Sequence, residues 1–280
     1  MKRKFTNFIL ILIFLIGLSV VLYPSISNYW NSKTQSKAIV NYDERISQMD
    51  ESQFTKYFEE AEEYNKKLAE LNYPLSEYRK LGGYEDLLNV MNNGMIGYIY
   101  IEKIKVELPI YHGTSDEVLD VAAGHIEGSS LPIGGKSTHA ALSSHRGLPS
   151  AKLFTNLDQL QEGDKFVVTV LNRKCTYQVD QIRIVEPKDT SYLAIEEGED
   201  YCTLITCTPY GINSHRMLVR GHRVENDVNN AKFITADALK LDAFVVAPII
   251  ALPMLLILII CLFVKYRKKG KKKVKGVEEK

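Results

Sequence analysis

Two long apolar segments without a charged residue constrain this chain more than any other feature. Residues 5–23 have the sequence FTNFILILIFLIGLSVVLY, and residues 244–264 have the sequence FVVAPIIALPMLLILIICLFV. A helix needs roughly 20 apolar residues to cross a hydrocarbon core about 30 Å thick. Both segments are therefore predicted to be transmembrane helices. A cleaved signal peptide is the competing interpretation of the first segment.

Basic residues lie outside both segments. Lys2, Arg3 and Lys4 precede the first, and residues 265–280 hold nine Lys and Arg against two Glu. Because Lys/Arg-rich flanks stay on the cytoplasmic side, each flank independently predicts the same topology. We expect a protein of the cell membrane with both termini in the cytoplasm and residues from about 25 to 243 outside the cell.

The part of the chain between the basic ends is acidic. Of the 35 Lys and Arg, twelve lie at the ends, whereas only two of the 34 Asp and Glu do, which leaves a net charge of −9 for the remainder. Nucleic acids are bound through clusters of Lys and Arg on the phosphates. This balance argues against a nucleic-acid partner, and the topology accounts for the basic ends.

In the predicted extracellular part, the spacing of apolar residues changes near residue 95. Residues 28–94 have helical spacing, with Asp50 as a start and Pro74 as a break. Short alternating segments follow, at 165–171, 175–185, 201–207 and 216–224, and predict a mainly β barrel or sandwich with a short helix at 149–160. The predicted divisions are 1–27 cytoplasmic start and anchor, 28–94 helical stalk, 95–227 β-domain, 228–243 linker, 244–264 second span and 265–280 basic tail.

Three cysteines lie in the predicted extracellular part, namely Cys175, Cys202 and Cys207, while Cys261 lies in the second span. Three cannot all pair within one chain, so at least one thiol is free. Cys207 closes a strand-like segment and precedes a turn, where a substrate can reach it, and it is a candidate nucleophile. A buried or disulfide-bonded cysteine is the alternative. Alternation places Cys202 on the opposite strand face, as a core residue.

A base and an oxyanion donor are also available. Among six histidines, His145 is favoured because Gly147 and Pro149 mark a loop, and loops often carry catalytic groups. His125 and His139 are the weaker candidates. Arg216 begins the segment after Cys207, so a hairpin would bring the two to one end, where a guanidinium can stabilise an oxyanion. A surface arginine is the alternative.

These residues stand in motifs that resemble those of class C, pilus-assembly sortases. TLITC at 203–207 and TPYGINSHR at 208–216 are similar to the family's TLxTC motif and its downstream arginine. HRGLPSAKLFTNLDQL at 145–160 resembles the catalytic-histidine segment, and GHIEGSSLPIGGKSTH at 124–139 the stretch upstream. The order His, Cys, Arg also matches, and the resemblance covers residues 96–224 densely.

The resemblance implies a closed β-barrel of about eight strands and a cysteine transpeptidase without cofactor or metal. Cys207 would cleave a Leu-Pro-x-Thr-Gly-like sorting signal between Thr and Gly through a thioester. His145 would act as acid and base, and Arg216 would stabilise the oxyanion. The partners would be pilin subunits, one of them supplying a lysine amine. Anchoring of surface proteins to a cell-wall precursor and a membrane-tethered binding or scaffold protein remain alternatives.

One family feature is altered. Class C sortases carry a lid with Asp-Pro and an aromatic residue, whereas this chain has Asn72, Tyr73, Pro74 and Leu75. The family's contacts from the Asp and the aromatic residue do not carry over. Tyr73, Pro74 and Leu75 form a candidate lid, in which Tyr73 or Leu75 covers the thiol. The alternatives are that the enzyme is less autoinhibited than its relatives, or that Pro74 only ends a helix.

Overall fold

The computed structural model describes residues 2–226, which divide into two compact units. Residues up to Ile26 belong to the first unit, which contains the start of helix α1 (Lys2–Ser47). Apolar side chains along residues 9–26 are largely exposed, and α1 alone among the described helices is long and apolar enough to cross a membrane. The predicted linker, second span and basic tail lie outside the described residues.

The second unit starts at Ser27 with the remainder of α1, followed by α2 (Glu51–Ala69) and α3 (Pro74–Glu77). Helix α2 begins where the sequence predicts a start. The Asp50 side chain accepts a hydrogen bond from the Gln53 N–H, and the Gln53 side chain accepts one from the Asp50 N–H. This reciprocal cap satisfies two N–H groups that a helix start leaves free.

Eight strands follow, with the short helix α4 (Asp116–Leu119) between the second and third. The strands are β1 (Met95–Ile101), β2 (Val106–His112), β3 (Ala123–His125), β4 (Thr138–Ser143), β5 (Lys165–Val170), β6 (Arg173–Val185), β7 (Asp200–Thr208) and β8 (His215–Val224). They close into a barrel in the order β1-β2-β3-β4-β7-β8-β6-β5. The predicted mainly β fold with a closed barrel of about eight strands is confirmed.

Strand alternation separates an inner and an outer apolar cluster. Leu204 of β7 and Val219 of β8 belong to the main core, whereas their neighbours Ile205 and Leu218 belong to a second cluster. Because successive side chains of a strand point to opposite faces, the second cluster lies on the outer face of the barrel. We call it the outer apolar cluster; its members are Ala141, Val185, Leu193, Ile205 and Leu218.

A close approach of two strands explains one glycine of the barrel. A Cβ atom at Gly97 in β1 would lie 2.2 Å from the carbonyl oxygen of Thr169 in β5. No side chain fits at that distance, and the obstacle is backbone, which cannot rotate away. A glycine is therefore needed where β1 and β5 pair to close the barrel.

Candidate active site

Cys207 and Arg216 are direct partners across the β7–β8 ladder. Partners in an antiparallel pair project to the same face, here the outer face that also carries Ile205 and Leu218. Cys207 is a half-buried free thiol. The Arg216 Nη1 donates to the carbonyls of Asn213 and His215, at 3.3 and 3.1 Å. Its Nε and Nη2 make no hydrogen bond to the described residues, so these donors remain for a ligand.

His145 follows β4, which runs parallel to β7 with Ser143 opposite Ile205. Two further hydrogen bonds extend this register: the Ser144 N–H donates to the Ile205 carbonyl at 3.1 Å, and the Thr206 hydroxyl donates to the Ser144 carbonyl at 2.9 Å. The next residues in register are His145 and Cys207. Extending the register by these residues aligns the backbone of His145 with Cys207, which is itself paired with Arg216, at the ends of three adjacent strands.

The segment after His145 is an irregular loop, and the predicted helix at 149–160 is wrong apart from one 3-10 turn, Leu157–Gln159. The Phe154 N–H bonds the His145 carbonyl at 3.1 Å, and the Gly147 N–H bonds the Thr155 hydroxyl at 3.1 Å. These bonds close the loop on itself instead of forming helical bonds four residues apart. Phe154 is fully buried, which anchors the loop to the core.

An arginine next to His145 links this loop to the cysteine strand. The Arg146 guanidinium forms an ion pair with Asp158, donates to the Thr208 hydroxyl at 3.4 Å and lies 5.9 Å from the centre of the Tyr210 ring. The Arg146 side chain is largely buried, whereas the side chains of Asp158 and Tyr210 are exposed. The hydrogen bond joins Arg146, which follows His145, to Thr208, which follows Cys207.

Sequence reasoning missed one carboxylate at this site. The Oδ1 of Asp120, just after α4, lies 3.7 Å from the Nε2 of His145. Nothing in the local pattern distinguishes Asp120 from a surface residue of a helical turn. Tertiary contacts bring it there, since the Ser144 hydroxyl bonds the Ala122 carbonyl at 2.7 Å.

The other described thiols are unsuited to nucleophilic attack. Cys175 and Cys202 are free but buried, and burial raises the pKa of both thiols, which disfavours the reactive thiolate. Cys207 is the only one of the three that is not buried. The predicted core position of Cys202 agrees with its place in the main cluster.

The two weaker histidine candidates are structural. Burial lowers the pKa of His125 to about 4, so its ring stays neutral near pH 7. Its Nε2 donates to the Ser130 carbonyl at 2.8 Å, and its Nδ1 accepts from the Tyr84 hydroxyl at 2.7 Å. The buried His139 bonds the Ala194 carbonyl and the Thr203 hydroxyl. Within residues 2–226, no group of three His, Cys, Asp or Glu side chains is placed to hold a metal ion.

The three candidate lid residues differ in burial and in the surfaces that they contact. Leu75, in α3, is half-buried and packs on the outer apolar cluster. Its backbone is seated on Gly128, where a Cβ atom would lie 2.6 Å from the Leu75 Cα. Pro74 begins α3, and Tyr73 is 72% exposed. Of the two side chains expected to cover the thiol, Leu75 contacts the outer apolar cluster, on the face that carries Cys207.

Comparisons with known proteins show which proteins this chain resembles. The sortase domain model matches residues 99–224. Sortase C1 from Streptococcus agalactiae is 49% identical, with a TM-score of 0.62, and the match covers 68% of this chain and 100% of that one. Sortase C from Streptococcus pneumoniae, whose structure bears on catalysis and pilin substrate specificity, is 45% identical, with a TM-score of 0.61 and coverage of 68% and 97%.

A curated relative is more distant. Sortase D from Bacillus subtilis (strain 168) is 30% identical over 131 residues, which span 46% of this chain and 63% of that protein. The matched region of the family model, residues 99–224, contains β2 to β8 and with them His145, Cys207 and Arg216. The chain belongs to the sortase family of cysteine transpeptidases.

Proposed function

We propose that this protein is a pilus-assembly sortase whose catalytic residues are Cys207, His145 and Arg216. The observation that carries the proposal is the row of three strand ends, with Cys207 paired to Arg216 and next in register to His145. The half-buried thiol, the neighbouring imidazole and the spare guanidinium donors supply a nucleophile, a proton carrier and an oxyanion donor.

The first half-reaction breaks the Thr–Gly bond of the sorting signal. The Cys207 thiolate attacks the Thr carbonyl carbon, and Arg216 stabilises the negative charge that develops on the oxygen. His145 protonates the Gly nitrogen as it leaves, so that the C–N bond breaks and a thioester to Thr remains. The outer apolar cluster adjoins Cys207 through Ile205 and offers an apolar surface for the Leu and Pro of the signal.

The second half-reaction joins the pilin to its acceptor. The neutral His145 removes a proton from an incoming lysine amine, the amine attacks the thioester carbonyl, and the Cys207 sulfur leaves as an isopeptide bond forms. A pilin lysine as acceptor is supported by the similarity to the two streptococcal sortases C. We further propose that α1 anchors the protein in the cell membrane with the β-domain outside, because the basic residues 2–4 precede its apolar part.

The choice of acceptor amine is tested with the full chain in lipid nanodiscs. After incubation with a Leu-Pro-x-Thr-Gly peptide, mass spectrometry should show the acyl-enzyme. An N-acetylated pilin-type peptide with one lysine should then react at least about tenfold faster than a wall-type peptide with a free α-amine, because a site built for one amine geometry discriminates against the other. The reverse preference would indicate wall anchoring, and absence of any acyl-enzyme a binding or scaffold protein.

Leu75 gives a prediction for the lid. We expect Leu75→Ala to speed labelling of Cys207 by a bulky maleimide about fivefold, because losing roughly 1 kcal/mol of apolar contact with the outer apolar cluster favours the open segment. The matched control is Tyr73→Ala, which removes an exposed ring from the same segment. Equal labelling rates in the two variants would show that Leu75 covers nothing that the reagent needs to reach.

A further inference from the structure

One face of helix α1 is polar before residue 36 and apolar after it. Ile39 and Tyr42 are buried on this face, and Asn28, Asn31 and Gln35 continue it at spacings of three, four and seven residues. These three side chains are half-buried, whereas most of their neighbours on the other faces are exposed. A polar stripe on the packed side of a helix calls for partners in the domain that it contacts.

Two of the three side chains hold the loop that follows His145. The Asn28 side-chain oxygen accepts a hydrogen bond from the Lys152 N–H at 2.8 Å, and the Asn31 amide donates to the Ser150 carbonyl at 2.9 Å. Two residues beyond Lys152, the Phe154 N–H bonds the carbonyl of His145 itself at 3.1 Å. Helix α1 is therefore connected to the backbone of His145 through these hydrogen bonds and residues 150–154.

The third side chain holds the segment that brings the carboxylate to His145. The Gln35 amide donates to the Val121 carbonyl at 2.7 Å. Val121 follows Asp120, whose carboxylate lies 3.7 Å from the imidazole. The Ala122 carbonyl accepts from the hydroxyl of Ser144, the residue before His145. Both segments that border His145 are thus attached to the same helix face.

We propose that Asn28, Asn31 and Gln35 are positioning residues for His145, which makes α1 part of the framework of the active site as well as a candidate anchor. The inference rests on the proposed catalytic role of His145. Hydrogen bonds are directional. Three of them therefore restrict the position and orientation of the two segments relative to α1. A displacement of about 1 Å in a catalytic group costs up to about 100-fold in rate.

The test compares two triple variants of the full chain in nanodiscs. Asn28→Ala/Asn31→Ala/Gln35→Ala removes the stripe. Ser32→Ala/Thr34→Ala/Ser36→Ala is the matched control, because each of these hydroxyls donates to a carbonyl of α1 itself. With a Leu-Pro-x-Thr-Gly peptide we expect kcat of the stripe variant to fall about 10- to 100-fold with KM changed by less than about twofold. The control should keep the wild-type kcat.

A second substrate separates positioning of His145 from general damage. In a depsipeptide ester, the leaving alkoxide is a far better leaving group than an amide nitrogen and depends less on protonation by His145. The first-turnover release of this leaving group should therefore be nearly normal in the stripe variant. A merely structural role would reduce first-turnover release from amide and ester alike and would also change labelling of Cys207 by a small thiol reagent.

The outcomes distinguish the inference from the function on which it rests. The inference is overturned if the stripe variant matches the control on the amide substrate, or if first-turnover release of the leaving group falls equally for amide and ester. His145→Ala serves as the reference in the same assay. If it loses amide turnover while the stripe variant does not, only the inference fails; if it keeps wild-type turnover, the proposed function fails as well.

Discussion

Replacing Cys207 by alanine is expected to abolish the acyl-enzyme and pilus polymers while pilin levels, membrane insertion and folding stay normal. No other described thiol can take over, because Cys175 and Cys202 are buried and burial raises the pKa of both. The substitution removes one half-exposed sulfur from the outer face of the barrel and leaves the core unchanged, so its cost in stability should be within about 0.5 kcal/mol.

The measurements for this variant are the mass of the enzyme after incubation with sorting-signal peptide and the ladder of pilin polymers from cells. Cys175→Ala is the matched control: it deletes a sulfur from the core, at some cost in stability, and should still form the acyl-enzyme. Polymer ladders that persist in Cys207→Ala cells, with no second sortase present, would remove Cys207 from the mechanism.

Replacing His145 by alanine is expected to lower kcat on the amide substrate by about 10²- to 10⁴-fold, the usual contribution of a general acid–base group. The two weaker histidine candidates are not free to replace it, since His125 and His139 are buried and committed to structural hydrogen bonds. The ester substrate should lose much less in its first turnover, because its leaving group needs little help from a proton.

Single-turnover release of the leaving group from the two substrates measures this difference. His215→Ala is the control, because it deletes an imidazole from the residue next to Arg216 while keeping the backbone carbonyl that Arg216 bonds. We expect that control to stay within about threefold of wild type. An equal loss on amide and ester in His145→Ala would mean that the imidazole does not act as the proton donor.

The contacts of α1 bear on how this enzyme should be studied. Asn28, Asn31 and Gln35 lie within the first 35 residues, a part of the chain that is readily removed with the apolar segment. By the inference above, a truncation after residue 35 would keep Cys207, His145 and Arg216 but release the two segments that border His145. The turnover of such a shortened enzyme would underestimate that of the full chain.

The sequence by itself determined the features that depend on short stretches of chain. Alternation of apolar and polar residues predicted the strands that contain Cys207 and Arg216, and the turn between them implied a hairpin. Since nine positions separate the two, local pairing is sufficient to bring them together. The apolar start of α1 and the cap at Asp50 are local in the same sense.

Only the tertiary structure decided which groups surround that pair. His145 reaches Cys207 through the parallel β4–β7 pairing, and parallel strands are joined by long crossovers whose partner no local pattern specifies. Asp120, the α1 stripe and Leu75 arrive through contacts between residues distant in sequence. The loop at 149–160 is irregular because its backbone bonds His145 and buries Phe154, and such contacts override local helix preference.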